Sequence, residues 1–430
     1  MANLAFEEHD TPPVVGDPSA PQISRGEGRE IRPVPRISIQ AFCESQPLAD
    51  VITAAAADRR MGRTHVKVHT GGVAAATEFY TGAPTPNLIV VESQKSGDAL
   101  IGELEQLANV CDPGSKVVVI GSINDVNLYR ELSRRGVSEY IVEPVDTVRL
   151  IATISDLYAE PGKAPLGRTV AFVGGKGGVG SSTISHSVAF ALAQKYSADV
   201  MLADLDLAFG TAGLDFNQDP TQGIAEAIHS PDRLDDVFLD RLLAHCTDHL
   251  SLLAAPATLD RTFDLSDSAV ESVIDVAQNS VPNVFLDVPH IWSTWAKQTL
   301  LAADEIVLTV EPDLANLRNA KNLLDLLRQA RKNDRAPLLV FNQVGMPKRP
   351  EIKVDEFAKA LEAEPLAIIP FDPQLFGTAA NNGQVVAEVD PKSPIAQTFT
   401  SIAQAVSGRS ELPRAKRKGL LARLRGKMAS

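Results

Sequence analysis

The run Val173-Gly174-Gly175-Lys176-Gly177-Gly178-Val179-Gly180-Ser181-Ser182-Thr183, directly after the apolar segment Thr169 to Phe172, restricts the fold more than any other stretch of the chain. An apolar strand that breaks into glycines and resumes as a helix with Ser and Thr in its first turn is a phosphate cradle. The glycines let backbone N–H groups converge on phosphate oxygens, and the helix N-terminus adds partial positive charge at the same point. Gly175, Gly180 and Ser182 satisfy the spacing G-x-x-x-x-G-K-[ST], but Ser181 stands where that pattern places its lysine, and Lys176 lies near the start of the loop. The pattern predicts a nucleotide-binding α/β domain with Gly175, Lys176, Gly177, Gly178, Val179, Gly180, Ser181, Ser182 and Thr183 on the phosphates.

The same glycines allow a second reading. Gly175, Gly177 and Gly180 also spell G-x-G-x-x-G, and Asp204 closes the next apolar run, where a dinucleotide fold carries its ribose acid. Lys176 inside the loop, the hydroxyls of Ser181 to Thr183, the second acid Asp206 and a later apolar strand ending in Asp287 favour phosphate plus magnesium. A dinucleotide-dependent oxidoreductase is the alternative from a different functional class.

Length and composition set the bounds. The 430 residues suffice for two domains, and 44% hydrophobic with 5% aromatic content is that of ordinary globular chains. No apolar stretch approaches the roughly 18 to 20 residues that a bilayer-spanning helix needs, and Met1 to Gly28 lacks a signal-peptide core, so a cytoplasmic protein is expected. Cys43, Cys111 and Cys246 are too few and too scattered for a disulfide frame or a zinc knuckle. The net charge is −13, yet Arg414, Lys416, Arg417, Lys418, Arg423, Arg425 and Lys427 crowd the C-terminal end with no acid among them. An acidic body repels nucleic acid, and no specific nucleic-acid partner is expected; the basic tail suits an anionic surface. Leu420, Leu421, Leu424 and Met428 share one helical face of that tail, which fits a short membrane-binding helix or a frayed solubilising end.

Apolar runs and turn residues divide the chain. Residues 1–35 are rich in proline without apolar period and read as a disordered arm. Five short strands alternating with helices follow over 36–160, a Pro-Gly-Lys-Ala-Pro linker lies in 161–167, and a second α/β series of seven strands occupies 168–408 before the basic tail 409–430. The expected fold class is α/β, two doubly wound parallel-sheet domains with ligands at the carboxyl ends of the strands.

The first series, with Gly136 to Pro144 (Gly-Val-Ser-Glu-Tyr-Ile-Val-Glu-Pro), resembles a response-regulator receiver, a flavodoxin-like domain. Its phosphotransfer set is absent: Glu92 stands at the phospho-acceptor position, Cys43 and Glu44 replace the acid pair, Gly121 or Ser122 the hydroxyl, and Glu143 the lysine. Glu92 either imitates a phosphorylated state or belongs to a domain kept as a docking surface.

The second series resembles the MinD/ParA class of deviant Walker P-loop ATPases. The resemblance implies that Lys176 is the signature lysine reaching a partner's phosphates across an ATP-sandwich homodimer, that Ser182, Asp204 and Asp287, the Walker B acid, surround magnesium, partly through water, that Asp206 orients or deprotonates water, and that Asn342, Pro370 and Asp372 line the adenine. Within the class, Asp287-Val288-Pro289-His290-Ile291-Trp292-Ser293-Thr294-Trp295, Glu311 to Leu314 with Arg318 to Leu323, and Ile369 to Asp372 with Leu375 to Gly383 are similar to the CpaE/TadZ family of tight-adherence (Flp) pilus assembly ATPases. That resemblance implies a nucleotide switch that binds ATP and magnesium with weak or absent hydrolysis, partnered by pilus assembly or polar-landmark proteins and peripheral at the inner membrane or cell pole. A partition-type ATPase that positions cargo by hydrolysis cycles is the runner-up. Trp292 and Trp295 fit either a switch element or buried packing, and His245 and His249 read as structural residues on one helix face.

Overall fold

The computed structural model describes residues 31–159, 166–259, 265–266 and 268–407. Strands β1 (Ser38–Cys43), β2 (His65–Thr70), β3 (Leu88–Glu92), β4 (Lys116–Gly121) and β5 (Glu139–Val142) form an all-parallel sheet in the order β2-β1-β3-β4-β5. Strand β3 is Leu-Ile-Val-Val-Glu and buried along its whole length, as a central strand covered by helices on both faces must be. Eight further strands follow: β6 (Arg168–Gly174), β7 (Val200–Asp204), β8 (Ala244–Thr247), β9 (Leu250–Leu253), β10 (Asn283–Asp287), β11 (Glu305–Val310), β12 (Leu338–Val344) and β13 (Pro365–Pro370). They make a sheet in the order β13-β12-β11-β6-β10-β7-β9-β8, parallel except for the β8–β9 pair. The α/β class and parallel sheets expected from the sequence are present.

The order of the second sheet bears on the choice between the two glycine readings. A dinucleotide fold pairs its first strand with its second. Here β10 lies between β6 and β7, and Asp287 is in register with Phe172 on one side and Asp204 on the other. Glycine loop, Asp204 and Asp287 therefore meet at one end of three adjacent strands, while two apolar layers cover the sheet faces.

Two local expectations differ from the structure, and a third divides between its two alternatives. Residues 244–249 are not helical: His245 lies in β8, its Nδ1 3.1 Å from Ser251 Oγ, and His249 follows the strand, its Nδ1 2.7 Å from Asp199. Ala-His-Cys-Thr lacks the apolar alternation that would have marked a strand, and its pairing with β9 supplies what propensity does not. The two tryptophans differ in role, Trp295 being 7% and Trp292 59% exposed. The arm expected over 1–35 ends earlier, since Val34 is fully buried and donates its N–H to Arg60 O at 2.8 Å. The tail 409–430 lies outside the described residues.

Segment 58–63 of the first sheet's region packs against the second sheet's helices through charge. Arg59 donates to Asp334 Oδ2 at 2.8 Å, to Asp304 Oδ1 at 2.9 Å and to Ala302 O at 3.1 Å, while Arg60 pairs with Asp58 and Asp334. Arg331 Nε completes the group 3.2 Å from Asp334.

Candidate functional site

The glycine loop leaves β6 at the centre of the sheet and enters the helix Ser181–Tyr196. Gly178 and Gly180 have φ of +82° and +84°, the left-handed region that side chains avoid. A Cβ on Gly180 would also stand 2.5 Å from Asn342 Nδ2.

Four side chains hold the loop from behind. His290 Nδ1 donates to Gly174 O at 3.0 Å, Asn319 to Gly175 O at 3.0 Å, Gln343 to Gly178 O at 3.2 Å and Asn342 to Val179 O at 2.8 Å. In a trans peptide the N–H points opposite to the C=O, so tying back the carbonyls of Gly175, Gly178 and Val179 turns the amides of Lys176, Val179 and Gly180 to the other side, whereas the Gly175 amide is taken by Thr309 O at 2.8 Å. That side is a cleft of about 650 Å³ lined by Lys176 to Thr183, Asp206, Phe209 and the segment Val288 to Ile291. Its size is ordinary for a nucleotide-sized ligand. Asn319 and His290 lie inside the strings that suggested the family resemblance, but their support of the loop carries no sequence signature of its own.

The remaining site residues gather around this cleft. Lys176 is 44% exposed on its side chain and pairs with Asp313 Oδ2 at 3.1 Å. Asp313 caps the helix Leu314–Ala330; burial alone would raise its pKa, but the Asn316 amide and Lys176 hold it below the usual range. Asp206 accepts the Phe209 amide at 3.1 Å and gives its own N–H to Asp204. Asp204 also accepts the Ala212 amide at 3.1 Å, so its two oxygens clasp the 204–212 loop, and the group is fully buried. Burial, and then the neighbouring Asp287, pushes its carboxyl up to about 7. Asp287 differs: its Oδ1 is buried and has no hydrogen-bond partner.

Beneath Ser182, one helical turn along, His186 is fully buried, with Nδ1 2.7 Å from Asp215 Oδ2 and Nε2 3.3 Å from Asp287 Oδ2. The second contact is an ion pair without the alignment of a hydrogen bond. Burial lowers the affinity of such a ring for a proton, but Asp215 and Asp287 outweigh it and push the pKa up to about 10. His186 escaped the sequence reading because a lone histidine on an apolar helix carries no motif.

A second cavity of about 230 Å³ adjoins the first through Gly178, Gly180 and Thr183 and is lined by Asn342, Gln343, Pro370, Phe371 and Asp372. Asp372 caps the helix Pro373–Asn382 by accepting the Leu375 amide at 2.9 Å. Asn342 Oδ1 is buried without a partner, an acceptor left for a ligand donor. Among the described residues no three His, Cys, Asp or Glu side chains converge as a metal site. Magnesium does not require one, since it keeps waters and takes one or two carboxylates with substrate phosphates; the orphaned Oδ1 of Asp287, the residue before Val288 of the cleft wall, fits that mode.

In the first sheet Glu92 ends β3 fully buried, and its Oε2 accepts the Ser45 amide at 2.8 Å at the start of the helix Gln46–Ala56. Burial, then Glu92, pushes the Cys43 thiol up to about 11. Glu143 Oε2 accepts from Gln94 at 3.3 Å, and a Cβ on Gly121 would meet the Tyr140 hydroxyl at 2.7 Å.

Residues 167–340 match the AAA domain family. Across 274 residues the chain is 26% identical to the septum site-determining protein MinD of Bacillus subtilis, covering 60% of this chain and 97% of that protein. A ParA family ATPase from Chlorobium tepidum is similar in structure with a TM-score of 0.50 and 27% identity, over 56% of this chain and 98% of that one. The pilus assembly protein CpaE from Caulobacter crescentus is 47% identical over 30% of this chain and 100% of the solved chain, with a TM-score of 0.30.

Proposed function

We propose that this chain, which carries a MinD/ParA-like AAA domain at residues 167–340, is an ATP-binding, dimerising switch that localises or assembles a tight-adherence pilus machine. The reading rests on one arrangement: a loop with its carbonyls tied back between a phosphate-sized cleft and a base-sized cavity, with an orphaned acceptor, Asn342 Oδ1, in the second. The exocyclic amine of adenine is the donor that this oxygen lacks. Ser182 and Asp287 face the magnesium shell, Lys176 serves the phosphates, and Asp206 stands where the water would be oriented. Pairing of two copies across the nucleotide, with Lys176 reaching the partner's phosphates, accords with its exposed position on the cleft rim.

Ser181 in the lysine position makes hydrolysis slow, because the charge that builds on the β and γ oxygens in the transition state loses its nearest fixed cation. A switch needs occupancy more than turnover, so the departure suits a localisation factor. The strings that resemble the tight-adherence pilus assembly ATPases, Asp287 to Trp295 among them, support the pilus context. Residues 36–160 serve as a docking domain for pilus or polar-landmark proteins, since Glu92 is bound to Ser45 and lacks a cationic partner at Glu143. The basic tail addresses the cytoplasmic face of the inner membrane, and no helix among the described residues is long and apolar enough to cross it.

Calorimetry with ATP, with and without magnesium, and with NADH tests the reading. Binding of ATP but not NADH is expected. No binding of ATP at millimolar concentration refutes it.

A further inference from the structure

We propose that His186 is the positioning residue of the metal-facing acid: it clamps Oδ2 of Asp287 and thereby turns Oδ1 toward the magnesium shell. The proposal rests on the ATP–magnesium reading above and assigns a role to a residue that touches neither nucleotide nor metal. Asp287 ends β10 with two chemically different oxygens. One lies 3.3 Å from His186 Nε2; the other is buried and has no partner. A carboxylate oxygen buried without a donor is rare unless a ligand completes it. The ring is itself fixed from the far side, Nδ1 lying 2.7 Å from Asp215 Oδ2, so a line Asp215–His186–Asp287 sets the torsion of the terminal acid.

His186 is held as rigidly as the line requires. It sits on the helix that the glycine loop opens, four residues after Ser182 and hence on the same helical face. Asp215 belongs to the short helix Ala212–Asp215, whose first amide is taken by Asp204 Oδ2. Asp204 thus serves the arrangement indirectly, by closing the loop that carries the outer carboxylate. The logic is that of metal sites in which a partner of the ligating group, not the ligand alone, fixes its orientation; loss of such partners costs about 10- to 100-fold in metal affinity. The two ring nitrogens face carboxylates on opposite sides, so the imidazole is held in place between Asp215 and Asp287.

The test measures the magnesium concentration at half-maximal binding of a fluorescent ATP analogue, alongside its binding in EDTA. His186→Leu keeps volume without a donor, and His186→Gln restores an N–H near the Nε2 place. The leucine variant is expected to raise the magnesium midpoint at least tenfold with binding in EDTA unchanged, and the glutamine variant to recover most of that loss. A leucine midpoint within twofold of the parent, an equal loss in EDTA, or a glutamine variant no better than leucine overturns the assignment, because a purely structural role predicts those results. If the leucine variant fails to fold by circular dichroism, Asp215→Asn takes its place: a midpoint raised at least threefold supports the line, and an unchanged one overturns it. A parent chain that binds no nucleotide at any magnesium concentration overturns the functional reading, and this assignment with it; normal parent binding with insensitive variants overturns the assignment alone.

Discussion

Removing the Asp334 carboxylate isolates the contribution of the charged seam between segment 58–63 and the second sheet. Its side chain is 5% exposed, with Arg59 Nε 2.8 Å and Arg331 Nε 3.2 Å away and Arg60 also in contact. Burial by itself would raise the pKa of this acid, and the three guanidinium groups hold it below the usual carboxylate range. Asp334→Ala leaves Arg59 with Asp304 and Arg60 with Asp58, but takes from Arg331 its ion-paired carboxylate, leaving it backbone carbonyls such as Ala303 O at 2.8 Å and the field of Glu305. Breaking a buried pair from one side costs about 3–5 kcal/mol, because the surviving charge stays desolvated. For comparison, Asp325 sits 3.2 Å from Lys321 with 53% of its side chain exposed, and Asp325→Ala should cost about 0.2–1 kcal/mol. At about 2–4 °C per kcal/mol for a domain of this size, Asp334→Ala is expected to melt roughly 6–20 °C below the parent in scanning calorimetry. A loss no greater than that of Asp325→Ala would show that the guanidinium groups are solvated in place and that the seam contributes no more than a surface pair.

Four further outcomes are expected. Gly180→Ala combines a φ of +84° with a Cβ 2.5 Å from Asn342 Nδ2, and should weaken ATP at least tenfold in calorimetry; parent-like affinity means that the loop does not bind in this conformation. His186 and Asp204 both hold a proton more tightly folded than unfolded, being raised from 6.5 to about 10 and from 3.8 to about 7. The stability each contributes is whole below its unfolded value and drains as pH rises through the folded one, so the melting temperature should fall from pH 7 to 9.5, with a flatter slope in His186→Gln; parallel slopes would remove His186 from the cause. Ser181→Lys should raise ATP turnover by a factor on the order of ten or more, and a variant that binds ATP yet hydrolyses no faster shows that the missing lysine does not limit the chemistry. ATP should increase co-sedimentation of the intact chain with anionic vesicles, salt should reduce it, and a chain ending at Gly408 should lose it; equal sedimentation of both chains would assign the membrane address elsewhere.

What could be read from the sequence is what depends on order along the chain. Strand β6, its glycines and the helix after it follow from local composition, and Asp287 and Asn342 follow from apolar runs that end in a polar residue. Residues whose meaning depends on a neighbour from another strand were silent. Asn319 and His290 reach the loop from segments more than a hundred positions away, which no local pattern encodes. Asp204 was expected among the metal groups by position; in the fold its oxygens go to Asp206 and Ala212, because the 204–212 loop turns back over its own strand end. The four-residue spacing of His245 and His249 suits one face of a helix, yet the strand β8 and the turn after it produce the same spacing.

Under the proposed function, the distribution of cations around the cleft would let a loop without its lysine respond to nucleotide. His186 lies behind the helix start, paired on both sides, and cannot travel to a ligand. Lys176 can, because its pair with Asp313 is partly exposed on both sides and such pairs contribute only about 0–1 kcal/mol. A triphosphate arriving in the cleft competes for Lys176 at little cost, and when the lysine leaves, Asp313 keeps the Asn316 amide but loses its counter-charge. The helix Leu314–Ala330 begins at that point, and Asn319 within it holds Gly175. In the proposed switch, transfer of one cation would therefore change the electrostatics of the helix that supports the loop, so that binding alone, without hydrolysis, would reach the surface where Leu314 is exposed.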